Sequence, residues 1–192
     1  MKKIMFNDKF ALTEAVLEGR KPMTRRIVPC SVVNLPLDKA MSKFPFHIED
    51  IVAIAQSYRS ISLGMSNPDE MDKFEKAVEK AHGCPYYAVA GWRNKMFVKA
   101  ELMPHHIQIK DWTFEDLQDI SDEDCLKEGI FARWHAPACR NYYYVPNVVV
   151  NHPDFVFLTP RDAYAYMIDK ISGKGTWERN PIVLVYTYER ID

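Results

Sequence analysis

Apolar residues recur along this chain with two different periods. Over residues 8–18, Phe10, Leu12, Ala15 and Val16 follow one face of a helix, with Asn7 placed to cap its start and Gly19 to end it in the left-handed region. A second helical pattern, Met71, Phe74, Val78 and Ala81, follows Asn67-Pro68-Asp69-Glu70 and stops at Gly83. That opening supplies a cap, a first-turn proline and two acids suited to the positive end of the helix dipole. A third pattern, Ala163, Tyr164, Met167, Ile168 and Ile171, starts after Thr159-Pro160 and ends at Gly173. Ser121 with Asp124 predicts a short capped helix ahead of Gly129.

Between these helices lie β-branched and alternating runs. Strands are predicted over residues 23–33, 51–58, 95–102, 106–114 and 182–188, the last bounded by Pro181 and apolar enough for a buried position. Met103-Pro104 separates the third run from the fourth. Strands and helices do not alternate as βαβ units would, which favours an α+β barrel over a doubly wound sheet. The length fits a single domain, residues 1–192, with no internal repeat.

Composition narrows the functions. With 10 Tyr, 10 Phe and 4 Trp spread through the sequence, the chain is expected to fold around a real core. The formal net charge is −1, so a polyanion site has to be a local cluster of cations and not the whole-molecule field. The opening residues carry no apolar run of export-signal length, and no segment is apolar enough to span a membrane. A cytoplasmic protein is therefore expected, with Cys30, Cys84, Cys125 and Cys139 as reduced thiols and no disulfide. No metal and no cofactor are expected. His82 with Cys84 and His135 with Cys139 lack the spacing of a zinc site, and the zinc-deaminase pattern is absent. His105 and His106 fall on opposite faces of a strand, and Gly173-Lys174-Gly175-Thr176 lacks the spacing of a phosphate loop.

The densest polar feature is Gly19-Arg20-Lys21-Pro22-Met23-Thr24-Arg25-Arg26, with four cations and a hydroxyl at the junction of the first helix and the next strand. Guanidinium forks and an ammonium at such a turn suit phosphate, although a solvated basic turn at a helix C-terminus has the same composition. Tyr86, Tyr87, Trp92, Trp134 and Tyr142-Tyr143-Tyr144 offer faces for base stacking or for core packing.

The pattern Gly19-x-Lys21-x-x-Thr24-x-Arg26 resembles the signature of the ASCH family, in which a short helix runs into a G-x-K-x-x-T-x-R turn. Residues 117–129, with their acidic helix and Glu128-Gly129, are similar to a second family segment. The region around Met103-Pro104 resembles phage-type members, and Trp177-Glu178-Arg179-Asn180-Pro181 with the closing strand resembles the family's C-terminus. Pro22 stands where the family commonly has Thr or Ser, and the chain exceeds the bare barrel by insertions at about 59–91 and 131–158.

The resemblance implies a PUA-like (ASCH) β-barrel with flanking helices, whose cleft accepts RNA or a modified nucleoside as partner. Some small bacterial members remove the acetyl group of N4-acetylcytidine with a Lys, a Thr and a Glu. Carried over by position, these are Lys21, Thr24 and Glu128, with Arg20, Arg25 and Arg26 as nucleic-acid or substrate contacts. Three functions follow: a module that binds RNA or a nucleoside, an N4-acylcytidine amidohydrolase, or an interaction scaffold of phage or mobile-element origin. The chemistry of the trio is sound on its own terms, because a Thr hydroxyl needs a base and a desolvated Lys can serve as one.

Overall fold

The computed structural model describes residues 1–147 and 156–192. The described strands are β1 (Lys2–Ile4), β2 (Met23–Ile27), β3 (Ile51–Ile54), β4 (His106–Asp116), β5 (Phe131–His135), β6 (Arg140–Tyr144) and β7 (Ile182–Arg190). The α-helices are α1 (Leu12–Leu17), α2 (Cys30–Val33), α3 (Leu37–Met41), α4 (Tyr58–Gly64), α5 (Pro68–His82), α6 (Asp122–Lys127), α7 (Pro160–Ser172) and α8 (Thr176–Arg179). The fold is mixed α+β, and no helix among the described residues is long and apolar enough to cross a membrane.

The larger sheet has the strand order β1-β3-β4-β7-β2, and β5 pairs with β6 in a separate ribbon. Strands β1 and β2 end that order, so among the described residues the sheet is open and does not close as the expected barrel. Two sequence features explain this. Pro29 has no backbone N–H, so β2 stops at Ile27 and residues 30–33, expected as strand, form α2 instead. The run 95–102, also expected as strand, is two 3₁₀ turns, Lys95–Phe97 and Ala100–Leu102. Asn94 starts the first of them by accepting the Met96 N–H on its side chain at 3.0 Å.

The chain forms two compact units. The first comprises Met1–Phe6, Ile51–Ile107 and Ile191–Asp192. In it β1 pairs in parallel with β3, and α5 forms with Asn67 and Gly83 in the capping roles that the sequence assigns them. The run 51–58 divides: it is strand to Ile54, and Ser57 then caps α4 by accepting the Ser60 N–H. The core packs Ala53, Ile61, Val78, Val98 and Met103 around Tyr58, whose ring is sealed from solvent. The Tyr58 hydroxyl accepts the Lys99 backbone N–H at 2.7 Å and pairs with His82 Nε2 at 3.0 Å.

The second unit comprises Asn7–Asp50 and Gln108–Arg190. There β2 runs antiparallel to β7, with Thr24 opposite Tyr186 and Arg26 opposite Leu184. The helix expected over 8–18 is a 3₁₀ turn, Asp8–Phe10, followed by α1, because Ala11 adopts a left-handed conformation between them. Thr159 caps α7 and Ser121 caps α6, each accepting the N–H three residues on. Ala163, Tyr164, Met167 and Ile168 of α7 are buried, as are Val183, Leu184 and Val185 of β7. The described part of the insertion 131–158 is built mainly by β5 and β6; residues 148–155 lie outside the described residues.

Gly91 is held against the Tyr58 ring so closely that an added Cβ would lie 2.6 Å from it. Overpacking a sealed aromatic in this way typically costs about 1–3 kcal/mol. Gly91→Ala is therefore expected to lower the urea midpoint of unfolding, and an unchanged midpoint would show that the Tyr58 core is looser than described.

Candidate functional site

The backbone of the basic turn is fixed first. Gly19 ends α1 in the left-handed region (φ 73°), and the Lys21 N–H then donates to the Ala15 carbonyl at 3.0 Å. This folds residue 21 back under the helix, so the Lys21 side chain is directed inward and is only 2% exposed. A lysine at that depth needs a partner. Lys21 Nζ donates to the Glu128 carboxylate in a close ion pair and to the Glu128 carbonyl oxygen at 3.1 Å.

Glu128 reaches this position from the end of α6. Its N–H closes the helix onto the Asp124 carbonyl, and Gly129 follows with φ 108°, a conformation that residues with a side chain rarely adopt. A Cβ on Gly129 would approach Leu12 Cδ2 to 2.8 Å. The glycine therefore lets the end of α6 lie close to Leu12 and, with it, to the Lys21 stem.

Arg25 completes the cluster from β2. Its Nη1 donates to the second Glu128 oxygen at 3.2 Å, its Nε to Glu115 at 2.5 Å and its Nη2 to Asp124 at 3.1 Å. Two buried cations and three carboxylates are thus linked, and the Arg25 side chain is 1% exposed. Arg25 was expected at a ligand, but its hydrogen bonds are committed to these carboxylates. Arg20 is half-buried. Arg20 is paired with Glu18 at 2.5 Å and lies over the Phe131 ring at 4.4 Å, while Arg26 is exposed on β2.

Burial holds the Lys21 amine below its ordinary pKa of 10.5. The Glu128 charge and hydrogen bond oppose that shift, and the like charges of Arg26 and Arg25 add to it. Arg25 is held charged: burial disfavours its cation, but the Glu115 hydrogen bond and the Glu128 and Glu115 charges outweigh burial. The Cys125 thiol, sealed nearby in α6, is pushed up to about 12 by burial and is inert as a nucleophile at neutral pH.

Thr24 is buried at 4% exposure on β2. Strand alternation turns it to the face opposite Arg25, beside Arg26 and across the ladder from Tyr186. Among the described residues no hydrogen bond joins Thr24 to Lys21 or Glu128. The structure therefore brings Lys21 and Glu128 together and places Thr24 three residues along the same turn and strand, without a direct bond to either. The Tyr186 hydroxyl, also buried, has no hydrogen-bond partner among the described residues; the Phe46 backbone N–H faces it without reaching hydrogen-bonding geometry. Sequence reasoning missed Tyr186, Glu115 and Asp124, whose roles depend on strand pairing and on contacts across about 90 residues or more.

The cysteines are free thiols, with Cys30 and Cys139 exposed, and no three His, Cys, Asp or Glu side chains among the described residues are grouped to hold a metal ion.

Asp124 gives the cluster a measurable pH dependence. Burial raises its pKa, but hydrogen bonds from Lys127 and Arg25 outweigh that and hold it below its ordinary 3.8. A carboxyl shifted down stabilises the fold fully above its unfolded pKa, and the contribution is lost as pH falls through the folded value. Stability is thus expected to decline below about pH 4, and Asp124→Asn to flatten that decline in urea melts at stepped pH. An identical acid limb in the variant would remove Asp124 from the cluster's energetics. Set against known proteins, the chain has no match among family models, curated proteins or solved structures.

Proposed function

We propose that this protein is a divergent ASCH-type hydrolase that cleaves the acyl amide of N4-acylated cytidines, with Lys21, Thr24 and Glu128 as its working residues. The observation that carries this reading is the lysine: Lys21 is sealed from solvent and bonded to Glu128. A lysine that only grips phosphate works as a solvated point charge at the surface. A buried lysine with a lowered pKa is suited to proton transfer.

In the proposed reaction Lys21 first passes its proton to Glu128, to which it is hydrogen-bonded. The neutral amine then takes the Thr24 hydroxyl proton through a bridging water, since the two side chains share no hydrogen bond, as Thr24 Oγ1 attacks the acyl carbonyl carbon. The C–N bond breaks and the cytosine N4 leaves as an amine with a proton returned from Glu128. Water hydrolyses the acyl-threonine, giving the carboxylic acid and restoring the hydroxyl. The Tyr186 hydroxyl lies across the ladder from Thr24 and is available to donate to the carbonyl oxygen as charge develops there. The open sheet is read as a departure from the PUA-like barrel, with the Gly19 to Arg26 turn preserved beside β7.

A second reading, binding of RNA or a modified nucleoside without turnover, draws support from Arg20 and Arg26, which remain accessible beside the buried trio.

Incubation with N4-acetylcytidine, followed by chromatography, is expected to yield cytidine and acetate. Thr24→Ala should abolish turnover with the melting temperature nearly unchanged, since the hydroxyl has no bond to Lys21 or Glu128 to lose. Lys21→Arg should also be inactive, because a guanidinium stays protonated. Glu128→Gln should lose about 10²–10⁴-fold. Those two variants have to be compared at matched folded fraction, because breaking a buried pair destabilises by about 3–5 kcal/mol. No turnover by the wild type over a series of acylated cytidines would reject the hydrolase and leave the binding reading; turnover surviving in Thr24→Ala would reject the nucleophile.

A further inference from the structure

The β5–β6 ribbon has no part in the reaction above, yet its composition is unusual. Residues 129–147 contain no Asp or Glu, while they carry Arg133, Arg140, His135 and a set of aromatic side chains. Every residue of β5 is exposed, and β6 is exposed or half-buried throughout, so this is not a core hairpin.

The register sorts these residues. Phe131 pairs with Tyr144, Arg133 with Tyr142, and His135 with Arg140. Cross-strand partners share a face and alternate residues return to it, so these six side chains lie on one side of the ribbon. The other side carries Ala132, Tyr143, Trp134 and Asn141. The first face therefore reads, rung by rung, as an aromatic pair, an arginine beside a tyrosine, and a histidine beside an arginine. Arg133 and Arg140 form no salt bridge to a described residue.

One contact links this face to the basic turn. The Arg20 guanidinium lies over Phe131, and Phe131 follows Glu128 by three residues. Arg20 itself adjoins Lys21.

We infer that the Phe131, Arg133, Tyr142 and Arg140 face of the β5–β6 ribbon binds single-stranded polynucleotide, with bases stacked on Tyr142 and Phe131 and phosphates on Arg133 and Arg140. Rungs on one face recur about every 7 Å along a strand. An extended single strand offers planes and charges in alternation, which matches cation and aromatic rungs side by side. An acidic peptide would use the arginines and leave the aromatic rungs without a role. The inference rests on the proposed hydrolase only in naming what the strand delivers: an acylated cytidine within a longer RNA, and not the free nucleoside.

Fluorescence anisotropy with a short fluorescein-labelled oligocytidylate tests this on the full chain. Tyr142→Ala should weaken binding by about 5–150-fold, the range expected when a stacking aromatic is removed. Tyr142→Phe keeps the ring and should bind as the wild type does. Trp134→Ala, on the opposite face and 60% exposed in the native chain, should leave binding unchanged. Removing Arg133 and Arg140 together should reduce the salt slope by roughly 1–2 units.

Wild-type binding by Tyr142→Ala, or equal losses in Tyr142→Ala and Trp134→Ala, would overturn the inference. Poly-glutamate competing as well as oligocytidylate would reassign the face to acidic proteins. The hydrolase can fail separately. A wild-type chain that does not turn over N4-acetylcytidine but loses oligonucleotide binding in Tyr142→Ala keeps the ribbon and rejects the hydrolase. Conversely, Tyr142→Ala with full nucleoside turnover and wild-type oligonucleotide affinity keeps the hydrolase and rejects the ribbon.

Discussion

A lysine and an arginine taken out of water together impose the arrangement of the second unit. Desolvating either cation alone would be prohibitive, so Lys21 and Arg25 require carboxylates at fixed positions. Glu128, Glu115 and Asp124 provide them from the end of α6 and from β4. That requirement ties the turn after α1, strand β2, strand β4 and helix α6 to one another. It also explains the glycine after Glu128, since a side chain there would strike Leu12. The same cluster that holds these elements together leaves a lysine dry enough to move a proton. In the proposed hydrolase, structural and chemical roles would therefore be joined in Lys21 and Glu128 and separable at Thr24.

Much of this was legible wherever the signal was local. Helix α5 is marked by Asn67, Pro68 and Gly83, and the structure uses each in the expected place. The caps at Ser121 and Thr159 are equally local. Lys21, Thr24 and Glu128 were singled out by motif, and the structure joins the two charged members. Residues 95–102 misled because a short apolar run does not distinguish a strand from successive 3₁₀ turns, and Asn94 starts the first turn through its side chain. Residues 30–33 misled because β-branching outweighed Pro29, whose missing N–H ends β2. The inward turn of Arg25 could not be read from a run of four cations. Its direction follows from strand alternation together with carboxylates about 90 residues or more away in the chain.

The β5–β6 ribbon was legible only as a run of aromatics. Its facing pattern needs the register, which places Arg133 beside Tyr142 and Phe131 beside Tyr144. Two surfaces with different demands thus meet near Arg20: a dry pair suited to proton transfer, and an exposed aromatic and cationic face suited to a flexible polyanion. With a net charge of only −1, attraction of a polyanion on the proposed reading would fall to the local face and not to the molecule as a whole.

The buried pair is open to measurement through the protonation of the Lys21 amine. Titration of ¹³Cε-labelled lysine by NMR would resolve Lys21 from the exposed lysines, with Lys21→Met assigning its signal. Lys21 is expected to titrate below 10.5, and Glu128→Gln to lower it further because the attraction opposing desolvation is lost. A Lys21 signal that titrates at or above 10.5, and is indifferent to Glu128→Gln, would contradict both the buried pair and the chemistry built on it.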